Sequence, residues 1–215
     1  MSNFKLPRRT LLAGSAASTA VLALAPLSAF AAADIGKAAP LFTAVDSNGK
    51  TVALENLRGK IVVLETTNHD CPYVAKHYRV GNMQAQQKDA AAKGIVWLTV
   101  ASSAPGEQGH VTPAQANDLT AKRSAAPAAV LIDPLSKVAR AYGATVTPHM
   151  YVIDANGLLV YKGGIDSIAT SDASDIAKAT QYVRVALDEL QAGKPIAQAS
   201  TRAYGCTLKY NRSST

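Results

Sequence analysis

The feature that most limits what this chain can become is a strand-like run that gives way to a cysteine at a helix start. Ile61-Val62-Val63-Leu64 is apolar without alternation, so it needs cover on both faces, as in the centre of a layered α/β sheet. A few residues later the chain reads Asn68-His69-Asp70-Cys71-Pro72 and turns helical. Pro72 suits the first helical position, where a missing N–H costs nothing. A cysteine just ahead of that position feels the unpaired amide N–H groups and the positive end of the helix dipole, which favour the thiolate. The polar neighbours Asn68, His69 and Asp70 set Cys71 apart from the dry, structural cysteine that is the commoner case. The stretch 66–78 therefore reads as a reactive thiol between a strand and a helix.

Periodicity places the remaining elements around that centre. Alternating apolar positions on either side of Asn48-Gly49 predict an N-terminal β-hairpin. After Cys71 a helix is expected over 72–93, with Gly81 kinking or dividing it and Gly94 closing it. Residues 95–101 read as a strand and 102–112 as a Ser/Gly/Pro-rich loop. Thr112-Pro113 opens a helix to about 124, residues 129–132 form a short strand, and 136–142 form a short helix. A second hairpin is expected around Asn156-Gly157. Ile176, Ala179, Val183, Leu187 and Leu190 recur at helical spacing and predict a last amphipathic helix, stopped by Gly193. The fold class is α/β. Strands separated by helices imply a parallel centre, and the final hairpin adds antiparallel edges, giving a central mixed sheet flanked by helices.

The two ends of the chain carry separate messages. Lys5, Arg8 and Arg9 precede a weakly apolar run rich in Ala, Gly and Ser, and Ala29-Phe30-Ala31 supplies the small residues of a cleavage site. Arg8-Arg9-Thr10-Leu11-Leu12 resembles the core of a twin-arginine export signal. Residues 1–31 are thus expected to be a cleaved leader directing the protein to the periplasm, with no stable membrane span left after its removal. The run is broken by Gly14 and Pro26, which argues against a permanent span. The leader holds three of the 22 basic residues and no acid, so the mature excess falls from +7 to +4. That charge is mild and scattered, and it does not describe a nucleic-acid surface. Both cysteines, Cys71 and Cys206, survive processing. In an oxidising compartment they could form a staple, a catalytic pair, or no bond. Cys206 lies on a polar tail, residues 193–215, where Gly205 would supply flexibility.

Five landmarks in order carry a family resemblance: Gly36-Lys37-Ala38-Ala39-Pro40, Asn48-Gly49-Lys50, Leu57-Arg58-Gly59-Lys60, Cys71-Pro72, and Thr147-Pro148-His149-Met150-Tyr151-Val152-Ile153-Asp154. Over residues 35–192 the chain resembles the thioredoxin-like superfamily, in its redoxin branch of alkyl hydroperoxide reductase and thiol-specific antioxidant type. The resemblance implies a cis Pro148 facing Cys71, with Thr147 offering its backbone to a substrate thiol or disulfide. Two family patterns are broken. Val74 stands where thioredoxins carry the second cysteine of Cys-x-x-Cys, and Leu64 and Asn68 occupy positions where peroxiredoxins have Pro and Thr or Ser. The arginine that assists peroxide in that family has only Arg123 and Arg140 as candidates here.

The expected activity is that of a thiol oxidoreductase, with Cys71 attacking a peroxide or a protein disulfide and an external thiol reductant restoring it. Cys206 is either the resolving thiol or an anchor for the tail. Thr147, Pro148, Pro72, Asn68, His69, Asp70 and His149 are the candidate supporting residues. So is Glu65, whose carboxyl pKa burial would raise unless Lys60 or Lys76 pairs with it. His149 is also a candidate proton donor to a leaving thiolate. No cofactor is called for. An alternative reading is copper or zinc bound by Cys71 with His69 or His149, because thiolate and imidazole suit those metals.

Overall fold

A computed structural model describes residues 1–2 and 33–211. The leader expected at 1–31 lies outside the described residues apart from its first two. Seven strands form one sheet in the order β2-β1-β5-β4-β3-β7-β8. They are β1 (Thr43–Asp46), β2 (Thr51–Ala53), β3 (Val62–Thr67), β4 (Val96–Ala101), β5 (Ala129–Ile132), β7 (His149–Ile153) and β8 (Leu159–Gly163). The strands β5, β4 and β3 run parallel, and β7 is antiparallel to both of its neighbours, β3 and β8. The hairpin β1–β2 joins antiparallel to β5. This is the thioredoxin-like α/β fold with a mixed sheet, as expected.

β3 sits at the centre because it is apolar on both faces. Val62 and Leu64 enter one core with Leu98, Leu131, Tyr151 and Ile153, and Val63 enters the other with Trp97, Met150, Val152 and Tyr161. The short helix α4 (Lys137–Ala141) covers the first face through Val138, Ala139 and Ala141. The second face is covered by α1 (Pro72–Arg79), α2 (Asn82–Ala92) and α5 (Tyr182–Gln191). α3 (Pro113–Lys122) packs Ala116 against Ala101 and Val130, and its start is fixed by a reciprocal cap between Thr112 and Gln115.

Of the two outcomes expected at Gly81 the structure shows division: the helix over 72–93 is two helices, because Gly81 takes φ +77, a conformation that ends one helix and redirects the next. Two local expectations are revised. Ile176 and Ala179 do not belong to α5; they lie in turns before it, after a short 3-10 segment at Ala173–Asp175. The tail is also structured as far as residue 211. Lys162 bridges to Ser200, Tyr204 and Leu208 are buried, and β9 (Cys206–Thr207) pairs antiparallel with β6 (Val146–Thr147). Two-residue strands carry no periodic signal, so neither β6 nor β9 is visible in the sequence.

Candidate functional site

β3 delivers the chain into a tight turn that presents Cys71. Asn68 shapes that turn: its Oδ1 accepts from the Asp70 N–H at 2.9 Å, and its backbone carbonyl accepts from the Cys71 N–H at 3.1 Å. Cys71 caps α1 with Pro72 at the first helical position, and its carbonyl accepts from Val74 and Ala75. The opposite wall is the turn between β6 and β7, where the Thr147–Pro148 bond is cis. Thr66 clamps that turn: its hydroxyl accepts from the His149 N–H at 3.0 Å and lies 3.3 Å from the Val146 carbonyl. The two walls meet at sulfur. Cys71 Sγ donates to the Thr147 carbonyl at 3.1 Å.

The third wall comes from the tail. Cys206 pairs with Thr147 across β6–β9, and its N–H donates to Cys71 Sγ at 3.4 Å. Both cysteines are free thiols. Cys71 is fully buried, contrary to what its polar neighbours suggest, because the tail lies over it. Burial, the hydrogen bond to Cys71 and the charge of Cys71 together push the Cys206 thiol up to about 12. Gly205 serves close approach rather than flexibility. At φ +142, a Cβ there would stand 1.9 Å from the Thr147 carbonyl oxygen.

Tyr204, which sequence reasoning missed, fixes the tail two residues before Cys206. Its hydroxyl donates to Asp166 Oδ1, and its ring meets Tyr73 edge-on at 5.8 Å. Asp166 in turn pairs with Lys76 at 3.2 Å, both side chains having no exposed surface. Lys76 Nζ also donates to the Ile168 carbonyl at 2.9 Å. His77 is buried beside this pair, 3.7 Å from Asp166 Oδ2, rather than on the helix surface, and burial holds its pKa down at about 4. A charged residue such as Lys76, at the α1 position after Val74 and Ala75, gives little warning of burial. Lys76 stands two residues from both Val74 and Tyr78 and so lies off the helix face they share, and periodicity gives no hint of its burial.

The remaining expected site residues are dispersed. Glu65 is buried with a raised pKa, the main cause being desolvation. Neither Lys60 nor Lys76 pairs with it; Tyr78, Trp97, Gln87 and Thr99 donate to its two oxygens at 2.8–3.3 Å. His69 faces Asp70 across 3.3 Å and lines a small cavity with Thr67, Tyr78 and Arg123. His149 stacks on Tyr151 and opens on a cleft of about 480 Å³ with Arg140 and Lys162, its pKa lowered to about 4 by burial and by Lys162. Cys71, His69 and His149 thus do not converge: among the described residues no three His, Cys, Asp or Glu side chains form a metal-holding group. Arg123 donates to the His69 carbonyl and lies over the Tyr78 ring, while Arg140 serves the Asn211 carbonyl and the Tyr210 ring. No described helix is long and apolar enough to cross a membrane.

Comparison with known proteins agrees with this geometry. Residues 35–162, more than half of the chain, match the model of the AhpC/TSA family. An uncharacterized conserved protein from Geobacillus kaustophilus is similar in structure, with a TM-score of 0.71, 24% identity, and coverage of 84% of this chain and 94% of that one. A hypothetical protein from Sinorhizobium meliloti gives 0.70, 21%, 83% and 96% respectively. A putative thiol:disulfide interchange protein from Chlorobium tepidum overlaps less fully, with a TM-score of 0.48, 25% identity, and coverage of 60% of this chain and 84% of that one. A search of curated proteins finds no match. The first two structures establish the fold, and the family match, with a cysteine capping α1 opposite a cis-proline, establishes the chemistry: this chain belongs to the AhpC/TSA family and is a thiol oxidoreductase of the thioredoxin-like superfamily.

Proposed function

We propose that the protein is an exported thiol–disulfide oxidoreductase that works through a two-cysteine cycle, with Cys71 as nucleophile and Cys206 as resolving thiol. The observation that carries this reading is the 3.4 Å approach of the Cys206 amide to Cys71 Sγ, on a strand paired to Thr147. In the cycle, the Cys71 thiolate attacks one sulfur of a substrate disulfide. The substrate S–S bond breaks, the departing thiolate takes up a proton, and a mixed disulfide remains on Cys71. Cys206 then loses its proton and attacks Cys71 Sγ, which releases the second substrate thiol and forms the Cys71–Cys206 bond. The substrate gains two electrons, and an external dithiol reductant returns them to the enzyme.

The elevated Cys206 pKa suits this order of events. The hydrogen bond to Cys71 and the charge of Cys71 are two of its three causes. Both disappear once Cys71 is bonded to substrate, so Cys206 becomes easier to ionise when its attack is needed. A disulfide is the preferred substrate over a peroxide. In the resembled peroxidases an arginine assists the peroxide, and the two candidates here, Arg123 and Arg140, are engaged at His69 and Asn211 instead. The leader pattern at Arg8-Arg9 and the small residues to Ala31 support a periplasmic location.

Mixed-disulfide trapping tests the assignment. Cys206→Ser incubated with a disulfide-bonded peptide should accumulate a peptide adduct on Cys71, and Cys71→Ser should neither form an adduct nor turn over. Turnover retained by Cys71→Ser would overturn the reading.

A further inference from the structure

The tail is held over Cys71 by contacts that the exchange cycle itself does not use. Tyr204 is buried; its hydroxyl donates to Asp166 Oδ1, lies 3.5 Å from Lys76 Nζ, and its ring packs on Tyr73. Asp166 is anchored independently, by Lys76 at 3.2 Å and by the Ile168 N–H at 3.1 Å. Lys76 and Tyr73 belong to α1, the helix that Cys71 caps. Tyr204 therefore fixes the tail to the same rigid body that carries the nucleophile. Two residues later Cys206 occupies the Thr147 edge, and Gly205 between them admits no Cβ.

We propose that Tyr204, latched on the buried Asp166–Lys76 pair, is the positioning residue that sets Cys206 over Cys71 and screens Cys71 from solvent. The proposal rests on the two-cysteine reading above. A second thiol 135 positions away acts as a local one only if its segment is held in place. The latch holds it without placing any group on the sulfurs. Its release is the step that uncovers Cys71 and frees the Thr147 backbone edge for an extended, cysteine-bearing segment of a partner.

Two measurements on the full mature chain test this. The first is the alkylation rate of Cys71 by iodoacetamide, in a Cys206→Ser background so that a single thiol reacts. Adding Tyr204→Phe keeps the ring contact and removes one hydrogen bond to a charged acceptor, so the rate should rise roughly tenfold. Gly205→Ala, which drives a Cβ into the Thr147 carbonyl, should raise it at least as much. The rise should be insensitive to low urea, as expected of local release rather than global unfolding. The second is the equilibrium of the dithiol with oxidised glutathione, which yields the Cys71–Cys206 disulfide and two reduced glutathiones. Tyr204→Phe with both cysteines present should lower that constant roughly tenfold.

An unchanged rate and constant in Tyr204→Phe, or a rate that climbs with urea in step with global unfolding, would overturn the latch. Failure of the unmodified protein to form the Cys71–Cys206 bond would instead overturn the two-cysteine cycle. The alkylation rate would still report on Tyr204 in that case.

Discussion

Two buried polar networks flank α1, and they differ in sign and in reach. On the Tyr78 side, the Glu65 carboxyl accepts from four neutral donors, none of which belongs to the tail. On the Lys76 side, a salt bridge between two unexposed side chains ends in Tyr204 and so in the strand that bears Cys206. The first ties β3, β4, α1 and α2 together. The second ties α1 to a segment more than a hundred residues away in sequence. A buried polar network can therefore serve the fold alone or couple the fold to the position of a reactive group, depending on where its last hydrogen bond goes.

Removing one partner from each network sharpens that contrast. Lys76→Met should have the largest effect, because it leaves the Asp166 carboxylate buried without its cation. A loss of about 3–5 kcal/mol in urea unfolding is expected, with faster Cys71 alkylation in the folded fraction. Glu65→Leu leaves the donors of Tyr78, Trp97 and Thr99 without their acceptor, while Gln87 keeps its bond to the Tyr78 hydroxyl, and should cost about 2–4 kcal/mol. Cys71 alkylation in its folded state should stay at the parental rate. Equal alkylation in the two variants would break the distinction between the networks.

Acid titration separates them by sign. His77, in the Lys76 network, has its pKa lowered from 6.5 to about 4. The unfolded chain binds its proton below pH 6.5 while the native state refuses it down to about 4, so stability falls as pH drops through that window. Glu65 has a raised pKa, so the native state holds its proton more readily than the unfolded chain. Its contribution is present at low pH and is lost as pH rises from 4.5 through the raised value. Urea midpoints measured from pH 4 to 6.5 should flatten on the acid side in His77→Asn, by roughly 1–3 kcal/mol at the low end. His69→Ala, outside both networks and partly exposed, should be the mildest change, within about 0.5 kcal/mol and with exchange activity intact.

Much of the architecture was readable from periodicity. The central strand, the two Asn-Gly hairpins, the cap at Thr112 and the Cys71-Pro72 helix start all follow from local residue chemistry, and the structure carries each of them. The cis bond before Pro148 came from the family resemblance. The third wall of the site was not readable. Tyr204, Asp166 and Lys76 come from a tail, a loop and a helix, and only the folded chain brings them into contact. Gly205 was visible as a glycine, but its need for one appears only beside the Thr147 carbonyl. Glu65 next to an apolar run signalled burial correctly, whereas its neutral partners, spread from 78 to 99, gave no local pattern.

Residues 71 and 206 are proposed to form one redox unit. Mapping disulfides by mass spectrometry after equilibration with oxidised glutathione tests it most directly. The protein should lose two hydrogens and carry a single Cys71–Cys206 bond, with no glutathione retained. Stable glutathione adducts on Cys71 and Cys206 separately, with no bond between them, would contradict it.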